Sequence, residues 1–264
     1  MMKIKGYDNS KAIFEPTDIV KKIDGCPEIV VTCFANNLID YALDQYKNEV
    51  VGYISSANGK LPLYKLYLSQ YKQAIGLIMS AVGAPAAVCE YEELFAMGVE
   101  KIVVFGTCGV LDNTIADCSI IIPDKALREE GTSYHYIDDG DEIEVNVHLK
   151  DHMIHFFKSK NIHYTVGKVW TTDAIYRETV HKIQDRKNDG CQCVDMECSA
   201  IAALAKFRNK EIAQFFYSAD SLDQEQYEIR SLANESQLDV KQKIVQLAIE
   251  LSLELFDTKE KSDE

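Results

Sequence analysis

The sequence predicts a single α/β domain with a largely parallel sheet, and three observations predict it. Short apolar runs alternate with segments of helical period, the order expected of βαβ units. With 264 residues, 47% of them hydrophobic, the chain can bury a sizeable core without dividing. No internal repeat, low-complexity stretch or long linker interrupts it.

Strands are expected at 28–33, 74–80, 101–105, 119–122, 166–170, 191–195 and 212–218. A short helix over 90–98 should end at Gly98, the residue that most easily takes a left-handed cap before the next strand. A second helix over 147–159 carries Val147, Met153, Ile154 and Phe157 as its apolar positions. A third, over 197–209, opens directly after a strand and so presents unpaired backbone N–H groups there. The last helix places Val240, Ile244, Leu247, Ala248, Leu251 and Leu255 on one stripe, which suits packing against a sheet. Residues 136–144, rich in Asp and Gly, read as a surface loop, and 257–264 as a frayed charged tail.

A formal net charge of −14 opposes phosphate backbones and anionic lipid, so a small molecule is the expected partner, with neither nucleic acid nor membrane. No apolar run approaches the roughly 18 residues of a membrane span. The eight cysteines lie mostly in apolar stretches with no secretory segment ahead of them, which predicts reduced thiols in the cytoplasm. Cys191 and Cys193 are one residue apart on an expected strand, the wrong spacing for a zinc knuckle, so no metal is expected.

Three segments can carry chemistry. In Phe105-Gly106-Thr107-Cys108-Gly109 an apolar strand runs into a glycine-flanked hydroxyl. Gly106 lets the backbone approach a ligand and Thr107 can donate to a phosphate or sugar oxygen, although a tight turn after a strand reads the same way. In Val194-Asp195-Met196-Glu197-Cys198 the Glu197 carboxylate stands at the mouth of a helix of small residues. There it can accept two ribose hydroxyls while Met196 covers one sugar face, or it can simply be a first-turn acid. In 215–223, Asp220 closes a hydrophobic strand, where burial raises its pKa enough to protonate a departing base nitrogen. Arg230 can orient it; the alternative is an N-cap aspartate. All three lie at strand ends, where α/β folds gather their ligands.

Over 29–230 the chain resembles the uridine phosphorylases, the hexameric purine nucleoside phosphorylases and the related nucleosidases. Gly83-Ala84-Pro85 followed by Glu92-Glu93-Leu94 is similar to a Gly-Ala-Pro segment and its helix, Phe105 to Leu111 to the phosphate loop, and Arg128 to Tyr136 to a strand and loop of uridine phosphorylase-like members. Trp170 to Thr179 resembles a segment beside the base pocket, and Asp195-Met196-Glu197 the Glu-Met-Glu signature with Asp in first place. The resemblance implies a three-layer αβα fold with a mixed, partly barrel-like sheet. It implies cleavage of an N-glycosidic bond by phosphate, with nucleoside and phosphate as partners, no cofactor beyond phosphate as co-substrate, and a homo-oligomer, dimer or hexamer. Glu197 and Met196 then bind ribose, Thr107 ribose and phosphate, Gly106 phosphate, Ile175 and Tyr176 the base, and Asp220 the base as catalytic acid, supported by Arg230.

Two departures accompany the likeness. The family's phosphate arginines are replaced by Asn37, in the stretch Thr32 to Asn37, and by Val104. Arg128, Arg177 or a lysine is left to take phosphate, and a nucleoside hydrolase or a non-catalytic nucleoside binder is the alternative.

Overall fold

The computed structural model describes residues 6–68, 74–138, 140–223 and 227–256, so the tail expected at 257–264 lies outside the described residues. In chain order the elements are α1 (Pro16–Ile19), β1 (Ile29–Cys33), α2 (Asn36–Gln45), β2 (Lys47–Ser56), β3 (Gly59–Tyr67), β4 (Ile75–Met79), α3 (Ala84–Met97), β5 (Lys101–Val110) and β6 (Ile120–Glu129). They continue with β7 (Glu142–Glu144), α4 (Lys150–Ser159), β8 (Tyr164–Thr172), α5 (Val180–Asn188), β9 (Cys191–Asp195), α6 (Cys198–Arg208), β10 (Glu211–Ser221), β11 (Glu228–Ile229) and α7 (Leu238–Phe256).

All strands among the described residues belong to one eleven-stranded sheet. Its middle is covered on both faces, and period-two alternation shows how. Ile29, Val31 and Cys33 of β1 face a core shared with α2, α4 and α7, whereas Val30 faces one shared with α3 and α6. This is why β1 reads as an unbroken apolar run. Phe105 and Phe215 stack at 5.5 Å between the neighbouring strands β5 and β10. The expected stripe of α7 is present, with Ile244, Ala248 and Leu251 buried against this core, and Gly98 caps α3 in the left-handed region at φ 118°.

The sheet is mixed rather than largely parallel. β1 runs parallel to β4 and β5, and β5 to β10, but β9 is antiparallel to β5 and β10 antiparallel to β6. Alternation of apolar runs with helices reports the elements and carries no information on strand direction. The path β10-β6-β8-β9-β5 closes on itself through the β5–β10 pairing, forming a five-stranded ring. The antiparallel hairpin β2–β3, absent from the sequence reading, is mostly exposed or half-buried and lacks an apolar run.

Candidate functional site

Thr107, Glu197 and Asp220 lie at or near the carboxyl ends of β5, β9 and β10, three adjoining strands of the ring. β5 continues past the expected turn, so Thr107 is a strand residue paired with Tyr217, exposed between buried Gly106 and Cys108. The Phe34 ring lies against Gly106: a Cβ there would stand 2.9 Å from Phe34 Cδ2. Val104 is buried in the core at 2% exposure, and Asn37 sits exposed in the first turn of α2.

Glu197 is buried at the start of α6. Its carboxylate does not cap that helix; Oε1 accepts the Gly83 N–H at 2.5 Å across the top of the sheet. The capping falls to Asp195, whose Oδ2 accepts the N–H groups of Glu197 (2.9 Å) and Cys198 (2.6 Å) and whose Oδ1 accepts the Thr171 hydroxyl (2.8 Å). Burial pushes the pKa of Glu197 well above the usual carboxylate range, and the neighbouring Asp195 charge pushes the same way. Met196 and Gly83 face a cleft of about 1410 Å³, which Asp173, Gly131 and Thr132 also line.

Asp220 is brought inward by a β-bulge: Ser218 pairs with Cys108 and Asp220 with Gly109, leaving Ala219 between them unpaired. Gly109 permits this approach, since a Cβ there would lie 3.1 Å from Asp220 Oδ2 and 2.4 Å from Leu222 Cδ1. Burial raises the Asp220 pKa, opposed by the Tyr227 hydroxyl and the Arg230 charge. Arg230 is anchored by donating to the Ile115 carbonyl (2.7 Å) and Asn113 Oδ1 (3.2 Å). Glu178 shares this corner, its pKa raised to about 7 by burial and by the charge of Asp220.

Other expected positions fall elsewhere. Arg128 is not brought to Thr107: its Nε donates to Ser133 Oγ (2.8 Å), its Nη1 to the carbonyls of Asp138 and Gly140, and its guanidinium stacks on Tyr134. It borders a different cavity, between the 136–149 segment and α6. Its Nη2 is buried with no hydrogen-bond partner among the described residues. Ile175 and Tyr176 form an open 3-10 turn, 45% and 95% exposed, outside the cleft of Met196 and on the side of Tyr227, whose phenol feels the Tyr176 hydroxyl. The sequence reading gave no site role to Gly83, Asp173, Glu178 or Tyr227. The Gly-Ala-Pro and Thr-Thr-Asp segments signalled the first two; Glu178 and Tyr227 meet Asp220 only through the fold.

Buried acids at the mouth of α6 and at the bulge of β10, with a cleft lined by Gly83 and Met196 next to the first, suit an α/β protein that holds a small molecule. The profile of the phosphorylase superfamily matches residues 38–257, and the chain belongs to that superfamily. It is similar to a guanosine phosphorylase of Halorubrum lacusprofundi, 27% identical over 151 residues, which span 54% of this chain and 60% of that protein. The chain spans 57–60% of the length of the first curated relatives it matches. In fold it is similar to a uridine phosphorylase of Vibrio fischeri (TM-score 0.73, 20% identity, 95% of this chain and 100% of that one). A purine nucleoside phosphorylase of Toxoplasma gondii in complex with immucillin-H gives TM-score 0.71 and 17% identity, over 94% of this chain and 97% of that one.

Proposed function

We propose that the protein cleaves the N-glycosidic bond of a nucleoside, with phosphate as the acceptor. The observation that carries this reading is Glu197, a buried carboxylate fixed by the N–H of Gly83, which together with Met196 lines a cleft wide enough for a nucleoside. Glu197 holds the ribose hydroxyls, Met196 covers the sugar, and Asp220 helps charge leave with the base while Thr107 and the backbone beside it hold the acceptor. The chemistry calls for no metal or organic cofactor. Family membership and the phosphorylases among its relatives support phosphate as acceptor.

Water is the second reading, favoured by the Phe34 ring against Gly106 and by Val104 and Asn37 where the family resemblance places arginines. A dianion without such charge-assisted contacts is held weakly. We therefore expect a phosphate KM near or above about 1 mM. The test is base release from uridine, inosine and adenosine as phosphate is titrated from none to tens of millimolar, with the sugar product identified. Ribose 1-phosphate rising with phosphate supports the first reading; free ribose in an amount indifferent to phosphate replaces it with hydrolysis.

Exposed Ile13, Phe14, Ile19 and Val180 support a homo-oligomer, dimer or hexamer, which sedimentation would test. Free thiols at all eight cysteines support a reducing, cytoplasmic setting. No described helix is long and apolar enough to cross a membrane.

A further inference from the structure

We propose that the cavity between the 136–149 segment and α6 is a second binding site, outside the nucleoside cleft, for an elongated organic monoacid that carries a hydroxyl or N–H at the end away from its carboxylate. Nothing in this site depends on the nucleoside reading given above. The cavity holds about 990 Å³, room for a small organic molecule. It shares only Tyr136 and Phe207 with the cleft of Met196, and those two rings meet edge to face at 5.4 Å where the cavities adjoin.

Two of the side chains that line it, Arg128 and Gln214, are 4% and 2% exposed. Each keeps one buried polar atom with no hydrogen-bond partner among the described residues: Nη2 of the arginine and Oε1 of the glutamine. Other hydrogen bonds hold both groups in place. Arg128 commits Nε and Nη1 to Ser133 and two loop carbonyls. Gln214 Nε2 donates to the Cys198 carbonyl at 3.2 Å, so the amide oxygen is the end left over. Asn146, which also lines the cavity, donates from Nδ2 to the carbonyls of Pro123 (2.9 Å) and Gln214 (2.8 Å) and accepts the Gln214 N–H at 2.8 Å. Buried polar atoms are nearly always paired, and two orphans bordering one cavity point to a partner that the chain itself does not supply.

The two atoms ask for opposite things. Nη2 is a cationic donor and calls for an anionic acceptor, whereas Oε1 calls for a hydroxyl or an N–H. The printed partners of the guanidinium are a hydroxyl and two carbonyls, so none of them offsets its charge. Asp138, Glu142 and Glu144 also line the cavity, which therefore admits one negative charge on Arg128 more readily than a phosphate dianion. Asn146 ties Gln214 to Pro123, and Pro123 and Arg128 stand five residues apart on β6, roughly 17 Å of strand before the reach of the side chains is taken off. That spacing suits a molecule with a polar group at each end. Ile143 and Val147 on one side and Ala202 and Ala205 of α6 on the other give its middle an apolar lining, and exposed Lys206 adds a charge that attracts an acid.

The test uses the full-length protein and 4′-hydroxybiphenyl-4-carboxylate, with biphenyl-4-carboxylate and 4-phenylphenol as the probes that lack one end. By calorimetry the first binds with a Kd of about 1 mM or tighter. Removing the hydroxyl weakens binding about threefold or more and removing the carboxylate about tenfold or more. Arg128→Lys, which loses the fork, and Val147→Trp, which fills the cavity from an exposed position, each abolish measurable binding; Lys206→Glu weakens it about three- to tenfold. Glu197→Gln binds the probe as the wild type does, and a crystal structure of the complex shows the carboxylate on Arg128 Nη2 and the hydroxyl on Gln214 Oε1. Equal affinity for all three probes, full affinity in a folded Val147→Trp protein, or ordered water alone on the two atoms overturns the proposal. A probe displaced by inosine or lost in Glu197→Gln overturns it too, because it would then occupy the nucleoside cleft, and none of these outcomes bears against the nucleoside reading.

Discussion

Glu197→Gln separates what the site needs from what the fold tolerates. The amide keeps the shape and an oxygen for the Gly83 N–H but removes the charged acceptor for the sugar hydroxyls. If that contact strengthens as the bond loosens, turnover falls by roughly a hundredfold or more. Stability moves the opposite way, because burial raises the Glu197 pKa in the folded state. The unfolded chain then sheds its proton first, and the wild type loses stability as pH climbs from the ordinary glutamate value toward the raised one. Complete burial moves such a group by as much as about 3–5 units, and each unit is worth about 1.4 kcal/mol. Between pH 5 and 7 the advantage of Glu197→Gln therefore grows by up to about 3 kcal/mol, or on the order of 6–12 °C in Tm for a chain of this size. The assay pairs turnover at saturating nucleoside with calorimetric melts of both proteins at several pH values. Near-wild-type turnover would remove Glu197 from the sugar site, and a Tm difference flat across pH would show that its carboxylate is not desolvated.

Asp220→Asn is expected to slow purine nucleosides by about 10² to 10⁴ and pyrimidine nucleosides less, since a purine nitrogen is what an acid here can protonate; an equal, small loss in steady-state rates for both would make Asp220 a structural group. Asp195→Ala removes the acceptor of two α6 N–H groups and of Thr171, and should cost about 1–2 kcal/mol in urea melts. An unchanged midpoint would contradict that capping role. Arg128→Ala should destabilise by about 2–4 kcal/mol through the loss of its bonds to the 133–140 loop, without raising the KM for phosphate. A clear rise in that KM at unchanged stability would return Arg128 to the phosphate site.

Elements whose cause is local were legible in the sequence. The apolar stripe of α7, the Gly98 cap and the five buried residues of β1 each announce themselves within a few positions. Glu197 and Asp220 were legible because each ends a hydrophobic run before a change of element. What was not legible depends on distant partners. The β5–β10 closure is a long-range pairing, the bulge at Ala219 is a register difference between two strands, and Gly83 meets Glu197 across 114 positions of chain. Arg128 was assigned by its charge, yet its place was decided by Ser133 and two loop carbonyls that no local pattern marks.

Closure of the ring bears on how freely this protein can change. Thr107 and Asp220 ride on strands that are each other's neighbours, so their spacing is set by register and by one bulge. Inserting or deleting a single residue in β10 would turn Phe215 and Asp220 to the opposite face together, damaging the core and the site in one event. That part of the molecule has few neutral routes open to it. The 3-10 turn of Ile175 and Tyr176 lies between β8 and α5 and is largely exposed. A turn of this kind can vary in sequence while the scaffold beneath it stays fixed.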